Sequence, residues 1–125
     1  MSLTTADTED TTGTLDPQEG ECVLCFVDRA VAELGCDGTL RWAARFQELR
    51  VPGAIALVPR LTGAGGTCDC TVLERGYRLV RERMERDVHT DELVLPALRP
   101  TCSGVRRTSA QACRNWERRP RRGTA

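Results

Sequence analysis

Cysteines are the residues of this sequence best suited to chemistry, and five of its seven lie between positions 22 and 70. Cys22 and Cys25 form a pair three apart at a predicted helix start, where both thiols face one side. Cys68 and Cys70 are two apart, so in extended chain their side chains point the same way, and Cys36 lies between the two pairs. A structural zinc ion binds four thiolates at about 2.3 Å, so this pattern predicts a zinc site. Spacing alone does not choose which four of the five thiols bind.

Alternatives to zinc follow from the same thiols. An iron–sulfur cluster uses an identical ligand set, and isolated cysteines also serve as small buried hydrophobic residues or redox-active groups.

The stretch from Met1 to Gly20 is acidic and lacks the apolar run of a secretory signal, which predicts a cytoplasmic location. Thiols stay reduced there, so metal binding is favoured over structural disulfides.

The chain is short and contains few aromatic residues, so its apolar core is expected to be small. It contains 125 residues, of which 40% are hydrophobic and only 4% aromatic. Domains of this size are marginally stable and often recruit a metal or disulfides. Since no run of roughly 20 apolar residues occurs, no membrane partner is expected.

Charge divides the sequence into three predicted parts. Residues 1–20 are acidic and rich in threonine, and residues 99–125 are rich in arginine. Both ends contain too little apolar surface to offset the entropy of ordering, so we predict that they are largely disordered. A single cysteine-rich domain over 21–98 is expected between them.

Two helices are predicted from apolar spacing. Apolar residues at intervals of three and four predict a helix over 22–34 with Gly35 as its stop, and a second over 40–49 with Thr39 as N-cap. A short third helix is expected to begin at Pro52 and to end or kink at Pro59.

The second half of the domain contains a glycine-rich turn over 63–66, followed by a predicted β-like stretch over 68–73. A last helix is predicted over 78–88, with arginine–carboxylate pairs four residues apart on its exposed faces. The expected fold is therefore a small, mainly helical α+β domain with a short β segment.

Two motifs resemble a known family. The run Gly35-Cys36-Asp37-Gly38-Thr39-Leu40-Arg41 and the later run Gly65-Gly66-Thr67-Cys68-Asp69-Cys70-Thr71-Val72 resemble the core of short bacterial proteins grouped as domain of unknown function 2695. The similarity covers about residues 22–77. The family has no assigned activity.

The resemblance implies a ligand set of Cys, His, Cys and Cys. Three of these transfer to Cys36, Cys68 and Cys70, but Gly38 stands where the family pattern has histidine. We therefore expect Cys22 or Cys25 to supply the fourth ligand.

The remaining cysteines, Cys102 and Cys113, lie in the arginine-rich segment near Trp116. Arginine pairs with phosphate and stacks on bases, so this segment could bind nucleic acid, although a basic tail folded back on the domain is the simpler and favoured explanation. The arginines concerned are Arg106, Arg107, Arg114, Arg118 and Arg119.

Catalysis is weakly supported by the sequence. His89 is the one histidine and lies far along the chain from every thiol, so no catalytic residue is assigned. A four-thiolate site leaves no open position for substrate, which favours a zinc-stabilised binding or regulatory module with an unidentified protein partner. A redox-responsive thiol protein is the main alternative, and a nucleic-acid accessory protein is the other.

Overall fold

The computed structural model describes residues 14–96 and 98–119, which form four helical segments and two small antiparallel sheets. The helical segments are α1 (Val23–Leu34), α2 (Arg41–Arg50), α3 (Leu57–Gly63) and the single turn α4 (Asp69–Thr71). A π-helical turn (Val72–Gly76) follows α4, and a 3₁₀ turn (Arg81–Arg83) follows the first strand. The strands are β1 (Tyr77–Leu79), β2 (Glu85–Arg86), β3 (Leu93–Val94) and β4 (Trp116–Arg118). This confirms the predicted α+β, mainly helical class.

Helix α1 follows its prediction closely. Cys22 is its N-cap and accepts a hydrogen bond from the backbone N–H of Cys25, and Gly35 ends the helix with a φ of +85°. One face of α1 is fully buried and supplies much of the core, through Val23, Leu24, Phe26, Val27 and Ala30.

Helix α2 begins where predicted but is capped differently. The Thr39 hydroxyl donates to Asp37 in a local turn, so it does not cap the helix. The buried Asp69 carboxylate instead accepts the backbone N–H of Trp42 at 2.9 Å and that of Ala43 at 3.2 Å. Thr39 is the wrong N-cap because the capping side chain comes from the second motif, 27 positions after Trp42.

Replacing this cap tests how the two motifs are joined. Asp69→Ala leaves the two amide N–H groups of α2 unpaired in the interior, and we expect it to lower the free energy of unfolding by about 2–3 kcal/mol. Chemical denaturation measures the loss. The matched control is Asp37→Ala, whose carboxylate is exposed and serves only its own turn, so a much smaller loss is expected. Equal losses in the two variants would contradict this account of the cap.

Helix α3 begins later than predicted. Residues 51–56 form turns, and α3 starts at Leu57, so Pro59 lies in its first turn. The N–H groups of a first turn have no partner within the helix, and proline there loses no hydrogen bond. The expectation that Pro59 ends or kinks a helix begun at Pro52 was therefore wrong.

The chain beyond the glycine turn differs most from its prediction. Residues 69–71 form a helical turn where a β-like stretch was predicted, and the helix predicted over 78–88 is replaced by short strands and a 3₁₀ turn. Strand β1 pairs with β4, and Arg78 forms an ion pair with Glu117 at 2.8 Å in place of a helical pair with Glu82.

The core lies between α1 and α2. The ring of Phe26 meets that of Trp42 edge-on at 6.0 Å between centroids and lies 6.2 Å from that of Phe46. Gly66 packs so closely that an added Cβ would lie 2.5 Å from a methyl carbon of Val72. The helical core thus fixes the loops that carry the cysteines.

The segment after residue 98 belongs to the domain. Cys113 and Asn115 are buried, Val105 packs on the core, and the backbone N–H of Arg119 donates to the carbonyl of Gly76. Residues 99–119 therefore pack on the rest of the described domain, while the predicted boundary at 98 stays a prediction.

Part of the acidic head is also in contact with the domain. Leu15 packs against the core and Asp16 forms an ion pair with Arg45. The disorder predicted for residues 1–13 and 120–125 falls outside the described residues. No helix in the described part of the chain is long and apolar enough to cross a membrane.

Candidate metal centre

Four cysteine sulfurs meet at the start of α1. The Sγ atoms of Cys22, Cys25, Cys102 and Cys113 all lie within 4.8 Å of one another. Within residues 14–96 and 98–119, this is the one group of three or more cysteine, histidine or carboxylate side chains found close enough to share a metal ion. Two of these cysteines were predicted ligands and two were not.

Local structure holds the first pair in place. Cys22 is the N-cap of α1 and Cys25 lies in its first turn, so the two thiols project from the same helix end. Their backbone positions depend on the apolar face that anchors α1 in the core.

Long-range contacts bring the second pair to this helix end. The backbone N–H of Val105 donates to the carbonyl of Gly20 at 2.9 Å, which fixes the loop carrying Cys102. Cys113 is buried in the turn before β4, and its Sγ lies 3.8 Å from that of Cys25. The site therefore joins cysteines that are 80 and 88 positions apart.

The sulfurs are surrounded by N–H donors. The Sγ of Cys102 accepts the backbone N–H of Cys22 at 3.3 Å and that of Gly104 at 3.4 Å. The Sγ of Cys25 accepts the indole N–H of Trp116 at 3.3 Å. Such donors stabilise negative sulfur, as the outer contacts of metal-bound thiolates do.

The thiols cannot all lose their protons without a cation. A hydrogen bond from the Cys25 thiol lowers the pKa of Cys22 to about 6, and the same bond, together with burial, raises the pKa of Cys25. Burial also raises the pKa of Cys102. A divalent cation would supply the positive charge that four thiolates at this spacing require.

The other three predicted ligands form a separate thiol group. Interaction with Cys36 shifts the pKa of both Cys68 and Cys70, and the backbone N–H of Asp69 donates to the carbonyl of Thr39, which ties the two motifs together. A metal site shared by Cys36, Cys68 and Cys70 stays a prediction.

The predicted fourth ligand is not in this second group. Cys22 and Cys25 belong to the four-cysteine cluster, and none of Cys36, Cys68 and Cys70 does. Hydrogen bonding to Cys36 raises the pKa of Cys70 to about 11, while hydrogen bonds with Thr71 lower that of Cys68.

Sequence reasoning missed Cys102 and Cys113 as members of the four-cysteine cluster. The sequence did contain a second pair of cysteines besides Cys22 and Cys25. That pair lies in an arginine-rich segment, which was interpreted as a basic tail. Its partner pair is some 80 positions earlier, beyond the range of familiar metal-binding spacings.

Fold and site together define a small cysteine-rich α+β domain with a four-thiol cluster. A family model described as Protein of unknown function (DUF2695) matches residues 23–74. The match confirms the resemblance over this segment. Comparison with curated proteins gives no match, and comparison with solved structures gives none either.

The matched segment contains only part of the candidate site. It includes Cys25 and all three thiols of the second group, whereas Cys22, Cys102 and Cys113 lie outside it. Three of the four clustered cysteines thus come from parts of the chain that the family model does not describe.

Proposed function

We propose that this protein is a zinc-stabilised binding or regulatory module, in which Cys22, Cys25, Cys102 and Cys113 hold a structural Zn²⁺. The observation that carries the proposal is the approach of four sulfurs to within 4.8 Å of one another. In a regular tetrahedron with Zn–S bonds of about 2.3 Å, the sulfurs are about 3.8 Å apart. The Sγ atoms of Cys25 and Cys113 already have this separation of 3.8 Å.

Such a site would act as a cross-link between distant parts of the chain. Cys22 and Cys102 are 80 positions apart, and Cys25 and Cys113 are 88 apart. A cross-link between distant positions restricts the unfolded chain and so favours the folded state. The small apolar core of this domain makes that contribution important.

A closed site argues against metal-based catalysis. Four protein thiolates fill the coordination of zinc and leave no position for substrate. The domain would therefore act through its surface, by binding a protein partner, in a cytoplasm that keeps the thiols reduced.

A redox-responsive role is the second candidate, and the contact between Cys25 and Cys113 at 3.8 Å favours it. Hydrogen peroxide would take two electrons from this pair of thiolates and, with two protons from water, form a disulfide and two molecules of water, and the metal would be released. If peroxide-treated protein retains its metal and its helix content, this candidate fails.

Nucleic-acid binding remains a proposal with less support. Arg106, Arg107, Arg114 and Arg118 are exposed, whereas the half-buried Arg119 donates to the carbonyl of Leu73. Salt-dependent retardation of DNA at low micromolar protein would support this proposal.

Elemental analysis tests the zinc proposal directly. Protein purified without added metal is expected to contain about one zinc per chain and to lack visible absorbance from iron–sulfur. Cys102→Ser should lose this zinc, because a ligand is removed. The matched control is Cys36→Ser, whose thiol lies outside the cluster.

The opposite outcome for these two variants would support the ligand set that was predicted from the sequence. If Cys36→Ser loses zinc and Cys102→Ser retains it, the metal is held by the second thiol group and the proposal is wrong. Visible absorbance with equimolar iron and sulfide would replace zinc by an iron–sulfur cluster.

A further inference from the structure

A cavity between the two small sheets has features of a ligand site. It measures about 440 Å³, within the roughly 300–1,000 Å³ typical of small-molecule sites. Residues of β1 and β4 form one side, and Leu93 of β3 lies across from them. The four-cysteine cluster is not part of its lining, apart from the contact that Trp116 makes with both.

Much of the lining is apolar. Leu79 is buried at the base, and Leu95 is 55% exposed at the edge. Met84, Leu93 and the ring of Trp116 complete this surface. An apolar body placed here would cover side chains that are now partly in contact with water.

The same cavity has an excess of positive charge. Four arginines line it against two carboxylates. The carboxylates are already paired, Glu117 with Arg78 at 2.8 Å and Asp28 with Arg99 at 3.0 Å. The other two arginines, Arg81 and Arg119, have no carboxylate partner among the described residues.

Arg119 adds an unsatisfied donor to this charge. One of its terminal nitrogens donates to the carbonyl of Leu73, but its Nε atom is buried without a hydrogen-bond partner. A buried charged donor without an acceptor is costly, and a bound anion would remove that cost.

We propose that this cavity binds a small organic anion with an apolar body, whose charged head pairs with Arg81 and Arg119 and whose body packs on Leu79 and covers Leu95 and Trp116. A carboxylate or a phosphate monoester supplies the same head-group chemistry, and guanidinium groups bind both. The proposal does not depend on the identity of the metal, because no cysteine lines the cavity.

Calorimetric titration of the full-length, metal-containing protein tests the proposal. Decanoate, decyl phosphate and uncharged decanol share one alkyl body and differ only in the head group. We expect saturable binding of at least one anion, and decanol should bind about tenfold more weakly because it lacks the charge. The preferred anion distinguishes a carboxylate from a phosphate source.

Variants then locate the site. Arg81→Gln removes an exposed side chain without an ion-pair partner, and it should weaken anion binding about tenfold while leaving decanol binding unchanged. Arg75→Gln is the matched control, because Arg75 is equally exposed and lies outside the cavity. Circular dichroism and zinc content should be unchanged in both.

The proposal is overturned if neither anion binds, if decanol binds as tightly as the anions, or if Arg81→Gln and Arg75→Gln behave alike. None of these results would affect the zinc proposal, which is tested by metal content.

Discussion

Removal of zinc by a strong chelator is expected to unfold the domain, with loss of most of the helical circular dichroism signal. Structural zinc sites in small peptides contribute roughly 10–16 kcal/mol of apparent binding free energy, and small domains have a total stability of about 5–15 kcal/mol. In this chain the cluster is joined to the N-terminal end of α1, which supplies much of the buried core. Loss of the metal leaves four buried or half-buried thiols side by side, of which Cys22 has its pKa lowered and Cys25 its pKa raised by their mutual hydrogen bond.

Re-addition of one equivalent of zinc should restore the signal, since no covalent change has occurred. The control is the Cys36→Ser variant, which should lose and regain its structure as the natural sequence does. Persistence of full helix content in protein shown by elemental analysis to be metal-free would contradict a structural role for the site.

A chain that ends at Leu98 is expected neither to bind zinc tightly nor to unfold cooperatively. It lacks Cys102 and Cys113, and therefore half of the cluster. It also lacks β4, which leaves β1 without its partner strand. Thermal unfolding followed by circular dichroism, with zinc titration, measures both losses.

The matched control is a chain that ends at Arg119. This version keeps all four cysteines, β4 and the backbone hydrogen bond from Arg119 to Gly76, so it should bind zinc and unfold like the full chain. A cooperative transition in the shorter chain would show that the domain does end near 98, as its charge pattern predicts.

Whether these shortened chains unfold cooperatively also shows how the segment matched by the family model relates to the folding unit. The family match ends at residue 74, before β1 and well before Cys102. If the segment after 98 is required for folding, the matched segment is only part of the cooperative unit in this chain.

Helices α1 and α2 were predictable because their signals are local. The apolar residues from Val23 to Ala30 recur at helical spacing, and Gly35 ends the helix within the same short stretch. The two motifs that carry Cys36, Cys68 and Cys70 were also recognisable from the sequence, because they resemble those of a known family.

Residues 78–88 were misassigned because strand pairing is not local. Their arginines and carboxylates at intervals of four suit a helix, yet Tyr77–Leu79 gains its partner from Trp116–Arg118. That pairing buries Leu79 and Tyr77, which outweighs the small energies of exposed helical ion pairs.

The sequence by itself determined the helical core, the glycine turn and the abundance of thiols, since each depends on neighbouring residues. Only the tertiary structure decided which four thiols meet. Cys102 and Cys113 reach α1 because the chain returns along β4 and through the bond from Val105 to Gly20. Contacts between positions so far apart depend on the packing of the whole domain, and no local spacing encodes them.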